Sequence, residues 1–297
     1  MIRIGSRGSA LALWQAEHVK ARLRDLGHEV EIQVITTTGD RTLDRPLESV
    51  GGKGAFLKEI EEALLEREVD LAVHSLKDVP TALPDGLRLC AILERADPRD
   101  ALLSASGGSL RALPDGARVG TTSLRRQAQL RIARPDLTLA DLRGNVDTRI
   151  RRLREGHYDA IVLAMAGLTR LGRLADVSEV LDIDTMCPAP GQGAIALECR
   201  ADADVTLRAV ASLQHPVTER AVTAERAFLR GLGGGCNVPL GAHARADGPL
   251  LHLTALVASR DGRDVVRGTL SGDDPEALGG ELARDFLARD AGRLLGS

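Results

Sequence analysis

The stretch Val73-His74-Ser75-Leu76-Lys77-Asp78-Val79-Pro80 sets a carboxylate just beyond the end of a β-like run, and Pro80 keeps Val79 out of helical geometry. Ligands of open α/β sheets bind beyond the carboxyl ends of strands, which is where Asp78 sits. Pairing with Lys77, or capping the next turn, is its plain alternative, and His74 reads as a hydrogen-bonded interior residue. Val119-Gly120-Thr121-Thr122-Ser123-Leu124-Arg125-Arg126 joins a strand end, a hydroxyl-rich N-cap and two arginines in a first helical turn. Cations there oppose the helix dipole, at roughly 0.3–1 kcal/mol each. An anion held by the free N–H groups, the hydroxyls and both guanidinium forks would resolve the conflict. The plain alternative is that both side chains swing into solvent or pair with acidic residues elsewhere.

The same order of residues recurs at Gly5-Ser6-Arg7-Gly8-Ser9, and Gly51-Gly52-Lys53-Gly54 places a further cation before a helix starting near Phe56. The lysine turn is not a P-loop, because Leu47 stands where the first glycine belongs and Gly54 replaces the magnesium-holding hydroxyl. Arg143-Gly144-Asn145-Val146-Asp147-Thr148-Arg149 adds two arginines around a tight turn, and Arg170 stands at another strand end. Cationic turns at several strand ends fit a ligand with several negative groups. Cys236 follows a glycine run and precedes Asn237-Val238-Pro239, which puts its thiol on a pliable loop. Nearby cations favour the thiolate, the nucleophilic form, although a lone loop cysteine is as readily incidental.

These residues need strands to hold them. Short β-like runs at residues 2–5, 30–37 and 71–74 alternate with helical periodicity at 11–26 and 56–66. A second series has strands at 118–120, 138–142 and 160–164 with helices from Leu124 and Val146. This is the rhythm of mostly parallel sheets covered by helices, and two similar α/β lobes fit it better than one long sheet. Ala96-Asp97-Pro98 and Cys187-Pro188-Ala189-Pro190-Gly191 read as the crossings between lobes, since proline breaks ladder and helix alike. After Pro216 comes a helix at 218–229, strands at 242–245, 250–258 and 265–270, and a helix from Pro275, a small α+β domain. The expected division is 1–95 with 190–212 for lobe 1, 96–189 for lobe 2, and 216–297 for the third domain.

Composition narrows the function. The 297 residues are 43% hydrophobic and 27% charged, with a net charge of −3, a balance that does not favour bulk polyanion binding. Aromatic residues are 2% of the chain, too few to build the stacking platforms of single-stranded nucleic-acid binders. The longest apolar run, 160–168, falls short of the roughly 20 residues that span a bilayer. The N-terminus enters a strand at its second residue without the regions of a signal peptide, so a cytoplasmic protein is expected. Cys90, Cys187, Cys199 and Cys236 form no CxxC pair, so no metal is expected and all four read as thiols.

The stretches SRGSALALWQA, GGKGAF, AVHSLKDVP, ERADPRDA, VGTTSLRRQ, LRGNVDTR, YDAIVLAMAGLTRLG, GQGAIALECR and GGGCNVPLG occur in this order along most of the chain. Together they resemble the hydroxymethylbilane synthase, or porphobilinogen deaminase, family. The resemblance implies a transferase of tetrapyrrole and heme biosynthesis that joins four porphobilinogen units head to tail with loss of ammonia, then hydrolyses the product to hydroxymethylbilane. Each pyrrole carries two carboxylates. By the family pattern Cys236 forms a thioether to a dipyrromethane cofactor, and Asp78 binds pyrrole N–H groups and stabilises the cation left by departing ammonia. Arg7, Arg125, Arg126, Arg143, Arg149 and Arg170 match carboxylate-binding positions, with Arg7 also near the reacting ring. Lys53, Lys77, Ser75, Thr121 and Ser123 match cofactor or substrate contacts, and Phe56 an aromatic near the terminal ring. Thr122 stands where serine is frequent, and Gly234 and Asn237 where Glu and Gln are common.

The resemblance also implies two lobes like those of type II periplasmic binding proteins facing a cleft, with a third domain delivering Cys236, in a monomer that binds neither nucleic acid nor membrane. Two other classes are weighed against it. A noncatalytic anion-binding module uses similar two-lobed folds and needs no covalent anchor. A cysteine-nucleophile hydrolase needs a base beside Cys236, a place where the sequence sets neither His74 nor His243.

Overall fold

The computed structural model describes residues 1–38, 57–233 and 238–295. The chain runs β1 (Ile2–Ser6), α1 (Ala10–Asp25), β2 (Val30–Val34), α2 (Lys58–Leu65), β3 (Leu71–Ser75) and β4 (Leu87–Ile92) through lobe 1. Lobe 2 follows with β5 (Asp100–Ser104), β6 (Arg118–Gly120), α3 (Leu124–Ala133), β7 (Thr138–Ala140), α4 (Val146–Arg154), β8 (Ala160–Ala164), α5 (Met165–Arg170) and β9 (Glu179–Leu181). The chain then returns to lobe 1 for β10 (Ile195–Arg200) and α6 (Asp204–Val210). It ends in α7 (Pro216–Gly231), β11 (Leu240–Asp247), β12 (Leu250–Ala258), β13 (Val265–Gly272), α8 (Pro275–Ala288) and α9 (Ala291–Leu295). Two compact units account for it: residues 1–96 with 194–219, and residues 97–193 with 220–297.

The lobe sheets share one plan. Lobe 1 has strand order β2-β1-β3-β10-β4 and lobe 2 has β7-β6-β8-β5-β9. In each, the first three strands are parallel and the fourth is antiparallel to both its neighbours. The antiparallel strand is in both cases the first one laid down after the chain passes from the other unit. The expected mixed α/β class with two similar lobes and an α+β tail is what these sheets form.

Strands covered on both faces are apolar at successive positions, and these are. In lobe 2, Leu102 and Val162 face one cluster with Val119 and Leu130, while Leu103 and Ile161 face the other with Leu142, Ile150 and Leu168. In lobe 1, Ile4, Leu71, Val73 and Leu197 pack against Val19 and Leu23 of α1, whereas Ala72 and Leu87 meet Ile60 and Leu64 of α2. The 3.6-residue period of these helical positions puts them on one buried stripe.

The last domain is the antiparallel meander β11-β12-β13 backed by α7 and α8. Phe228 and Phe286 meet edge to face, ring centroids 5.0 Å apart. Within the second unit this domain is tied to lobe 2. The buried Glu225 carboxylate accepts from Gly191 N at 2.7 Å and Ala244 N at 2.8 Å, and Cys187 packs with Ala128, Leu256 and Ala258.

Candidate functional site

In lobe 1 the ends of β1 and β3 frame a pocket of about 100 Å³ bordered by Arg7, Ser9, Gln15, Ser75 and Asp78. Ser9 caps α1, its hydroxyl accepting from Ala12 N at 3.3 Å, so Arg7 lies on the short link between strand and helix. After β3 a single 3₁₀ turn, Leu76–Asp78, redirects the chain and presents Lys77 and Asp78, both half-buried. Gln15, on the inward stripe of α1, donates to the Ser75 hydroxyl at 2.9 Å and fixes that strand end. His74 is interior, as its setting suggested: its Nε2 lies 2.9 Å from Glu198 Oε2. Ala196 is opposite His74 and Glu198 opposite Ala72, so His74 and Glu198 share a sheet face two residues apart.

In lobe 2 the corresponding strand end is the Gly120–Ser123 segment. Ser123 caps α3, accepting from Arg126 N at 3.5 Å, and Thr121 Oγ1 accepts from Ser123 N at 3.2 Å. The carboxylate that faces Arg125 and Arg126 is Asp100, the first residue of β5 and fully buried. Its Oδ1 accepts from Arg126 Nη2 at 2.7 Å and Nε at 3.2 Å, while Oδ2 lies 2.8 Å from Arg125 Nη2. Both guanidiniums are themselves buried. Burial pulls the Arg125 guanidinium below its ordinary pKa and Asp100 opposes that.

Arg143 and Arg149 lie half-buried on either side of the turn from β7 to α4. Gly144 there has φ of 108°, a conformation that side-chain-bearing residues rarely adopt. Asn145 caps α4 by accepting from Thr148 N at 2.9 Å, and Arg149 Nε donates back to Gly144 O at 2.8 Å. Arg170 ends α5 and donates to Gly193 O at 2.7 Å. Burial lowers its guanidinium to about 10, so it remains charged at neutral pH.

The structure therefore gathers Arg7, Ser75 and Asp78 around one pocket, with Lys77 on the same turn. It sets Arg125, Arg126, Thr121 and Ser123 at one helix start in lobe 2. Lys53, Phe56 and Cys236 lie outside the described residues. Gln15, Asp100 and Gln192 were not singled out from the sequence: Gln15 and Asp100 lie inside the motifs SRGSALALWQA and ERADPRDA, and Gln192 inside GQGAIALECR, but only the fold reveals their partners. A larger cavity of about 430 Å³, bordered by Arg134, Glu179 and Arg267 among others, contains none of the candidates. The candidates lie at the strand ends rather than around that cavity. Cys90, Cys187 and Cys199 are free thiols, and burial pushes Cys187 up to about 12, away from nucleophilic use. Among the described residues, no cluster of three or more His, Cys, Asp or Glu could hold a metal, and no helix is long and apolar enough to cross a membrane.

A carboxylate-bearing dipyrrole fits these residues. Two buried guanidiniums share one carboxylate, which leaves a net positive charge beside the Thr121–Ser123 cap, and Arg143 and Arg149 add to it on a neighbouring turn of the same lobe.

Comparison with known proteins agrees with this reading. The family model described as "Porphobilinogen deaminase, dipyromethane cofactor binding domain" matches residues 2–208, and "Porphobilinogen deaminase, C-terminal domain" matches 220–288. The porphobilinogen deaminase of Pelobacter propionicus is 53% identical over 298 residues, covering 99% of this chain and 96% of that one. That of Acidithiobacillus ferrooxidans is 52% identical over 296 residues, covering 99% and 97%. Similar solved structures include a periplasmic substrate-binding protein from Coxiella burnetii, 16% identical with TM-score 0.44, covering 74% of this chain and 94% of that one. A nutrient-binding protein from Burkholderia cenocepacia bound to methionine is 12% identical with TM-score 0.44, covering 71% and 90%. With both halves of the family's architecture matched in order along nearly its whole length, this chain belongs to the porphobilinogen deaminase family.

Proposed function

We propose that lobe 1 carries the reacting centre and lobe 2 the carboxylate-holding turns of hydroxymethylbilane synthesis, in which four porphobilinogens are joined head to tail with release of ammonia and freed by water. The observation that carries this division is the placement of Arg7, Ser75 and Asp78 around one pocket at the ends of β1 and β3. When bound, the dipyrromethane cofactor, a thioether on Cys236, supplies the primer ring to which the first substrate is joined. Every other role belongs to side chains. Asp78 accepts from pyrrole N–H groups and offsets the positive charge that grows on porphobilinogen as its ammonia leaves, electrostatic catalysis with the sign of an oxyanion hole reversed. Arg7 orients the carboxylates of the reacting ring. Arg125, Arg126, Arg143, Arg149 and Arg170 hold acetate and propionate groups along the growing chain, which paired guanidinium–carboxylate geometry suits. Lys53, Lys77, Ser75, Thr121 and Ser123 complete the contacts, and Phe56 packs near the terminal ring.

In this reading the chain comprises three domains, 1–95 with 190–212, 96–189, and 216–297, and works as a cytoplasmic monomer without nucleic-acid or membrane partners. The decisive experiment is the intact mass of the purified protein beside Cys236→Ser. A covalent adduct of two linked pyrroles on the wild type and none on the variant is the expected result. A bare sequence mass for the wild type, even after incubation with porphobilinogen, would instead favour a reversible anion-binding module.

A further inference from the structure

The geometry points to Asp100 as the positioning residue of the Arg125–Arg126 pair: its buried carboxylate orients both guanidiniums and cancels one of their two charges, presetting them for a ligand carboxylate. This rests on the reading that the pair binds carboxylates of the pyrrole chain.

Each guanidinium is held at two points. Arg126 gives Nε and Nη2 to Asp100 Oδ1 and Nη1 to Val162 O at 2.9 Å. Arg125 sets Nη2 in ion-pair contact with Asp100 Oδ2 at 2.8 Å and donates Nη1 to Cys187 O at 2.6 Å. Both anchors beyond Asp100 are backbone carbonyls, one in β8 and one in the segment that Gln129 clamps from both sides, accepting from Cys187 N at 2.6 Å and donating to Cys187 O at 3.1 Å. Asp100 is in turn held by Gln192, whose Nε2 donates to Oδ1 at 3.0 Å and to Pro98 O at 2.7 Å.

A guanidinium presents five N–H groups in a rigid fork, so pinning one edge aims the rest. Without the carboxylate, two like charges would face each other in a buried site and turn apart. With it, the pair keeps a single net positive charge and a fixed direction. Asp100 touches no reacting atom in this scheme. It acts through the arginines.

The test compares wild type, Asp100→Asn and Arg125→Gln as purified, by thermal melting, by intact mass for the fraction carrying the two-pyrrole adduct, and by kinetics per loaded molecule. For Asp100→Asn the expected result is a cooperative melt, a loaded fraction at least fivefold lower, and KM for porphobilinogen raised about tenfold with kcat changed less than threefold. A carboxylate that only stabilised the fold would lower the melting temperature and leave KM and loading alone. Wild-type loading with KM at or below the wild-type value overturns the proposal. Should Asp100→Asn not fold, Asp100→Glu decides by the same readouts, because it keeps the charge but moves the carboxylate by one methylene: a raised KM supports positioning and an unchanged one overturns it. Arg125→Gln reports on the underlying reading. Full loading with unchanged KM there removes the pair from carboxylate binding, a failure distinct from that of Asp100 alone.

Discussion

Asp78 reaches its pocket because a three-residue 3₁₀ turn ends β3 and Pro80 prevents a longer helix from forming. Its side chain is only half-buried, so removing it disturbs little packing. Asp78→Ala is therefore expected to fold as the wild type does and to lose about 10²–10³ in the single-turnover rate of ring joining, the usual magnitude for one preorganised electrostatic group. Rapid-quench analysis with porphobilinogen checks this, and undiminished joining would remove Asp78 from the mechanism. Residues at strand ends, such as Arg7 and Asp78, were legible because turn chemistry and strand pattern are local. Asp100 was not, although its motif was, since nothing local says that a carboxylate will meet arginines 25 and 26 positions later. The His74–Glu198 pair is a similar case: the interior setting of the histidine was readable and its partner was not.

Elements bounded by strong signals were read nearly to the residue, as with β6, β8 and β12, whose expected and observed spans agree. The short strands β5 and β9 carry no sequence signal, because five residues beginning with a buried aspartate, or three residues alone, show no usable period. The expected strand at 30–37 stops at Val34, where its pairing with β1 ends. Helix packing in the last domain is tighter than sequence pattern conveys. A Cβ built on Gly279 of α8 would stand 2.3 Å from Ala224 O and 2.6 Å from Ala227 Cβ, both in α7. Alanine is better than glycine inside a helix by about 1 kcal/mol, yet forcing two backbones apart in a packed core costs about 1–3 kcal/mol. Gly279→Ala is thus expected to be destabilising on balance, with a lower urea midpoint. An unchanged or higher midpoint would mean that α8 shifts freely against α7.

At the scale of the molecule, two lobes and a tail were legible from the repeated alternation of strands and helices. The order of strands within each sheet was not, because pairing between β3 and β10 joins residues some 120 positions apart. That order has a consequence for how the protein is made. The two strands neighbouring β10 in its sheet are β3 and β4, and among the described residues its pairing to β4 is the only one β4 has. A chain that has emerged only to residue 96 therefore has an incomplete first sheet, with β4 lacking its neighbour and the outer edge of β3 bare. The strands of the second sheet all lie before residue 182. In a fragment of residues 1–193, amide hydrogen exchange is expected to show protection in β5, β6 and β8 and little in β3 and β4; full protection of β3 and β4 would refute this. The N-terminal lobe is synthesised first and completed second, so its exposed edges must be carried through translation until the strand at residue 195 arrives to close them.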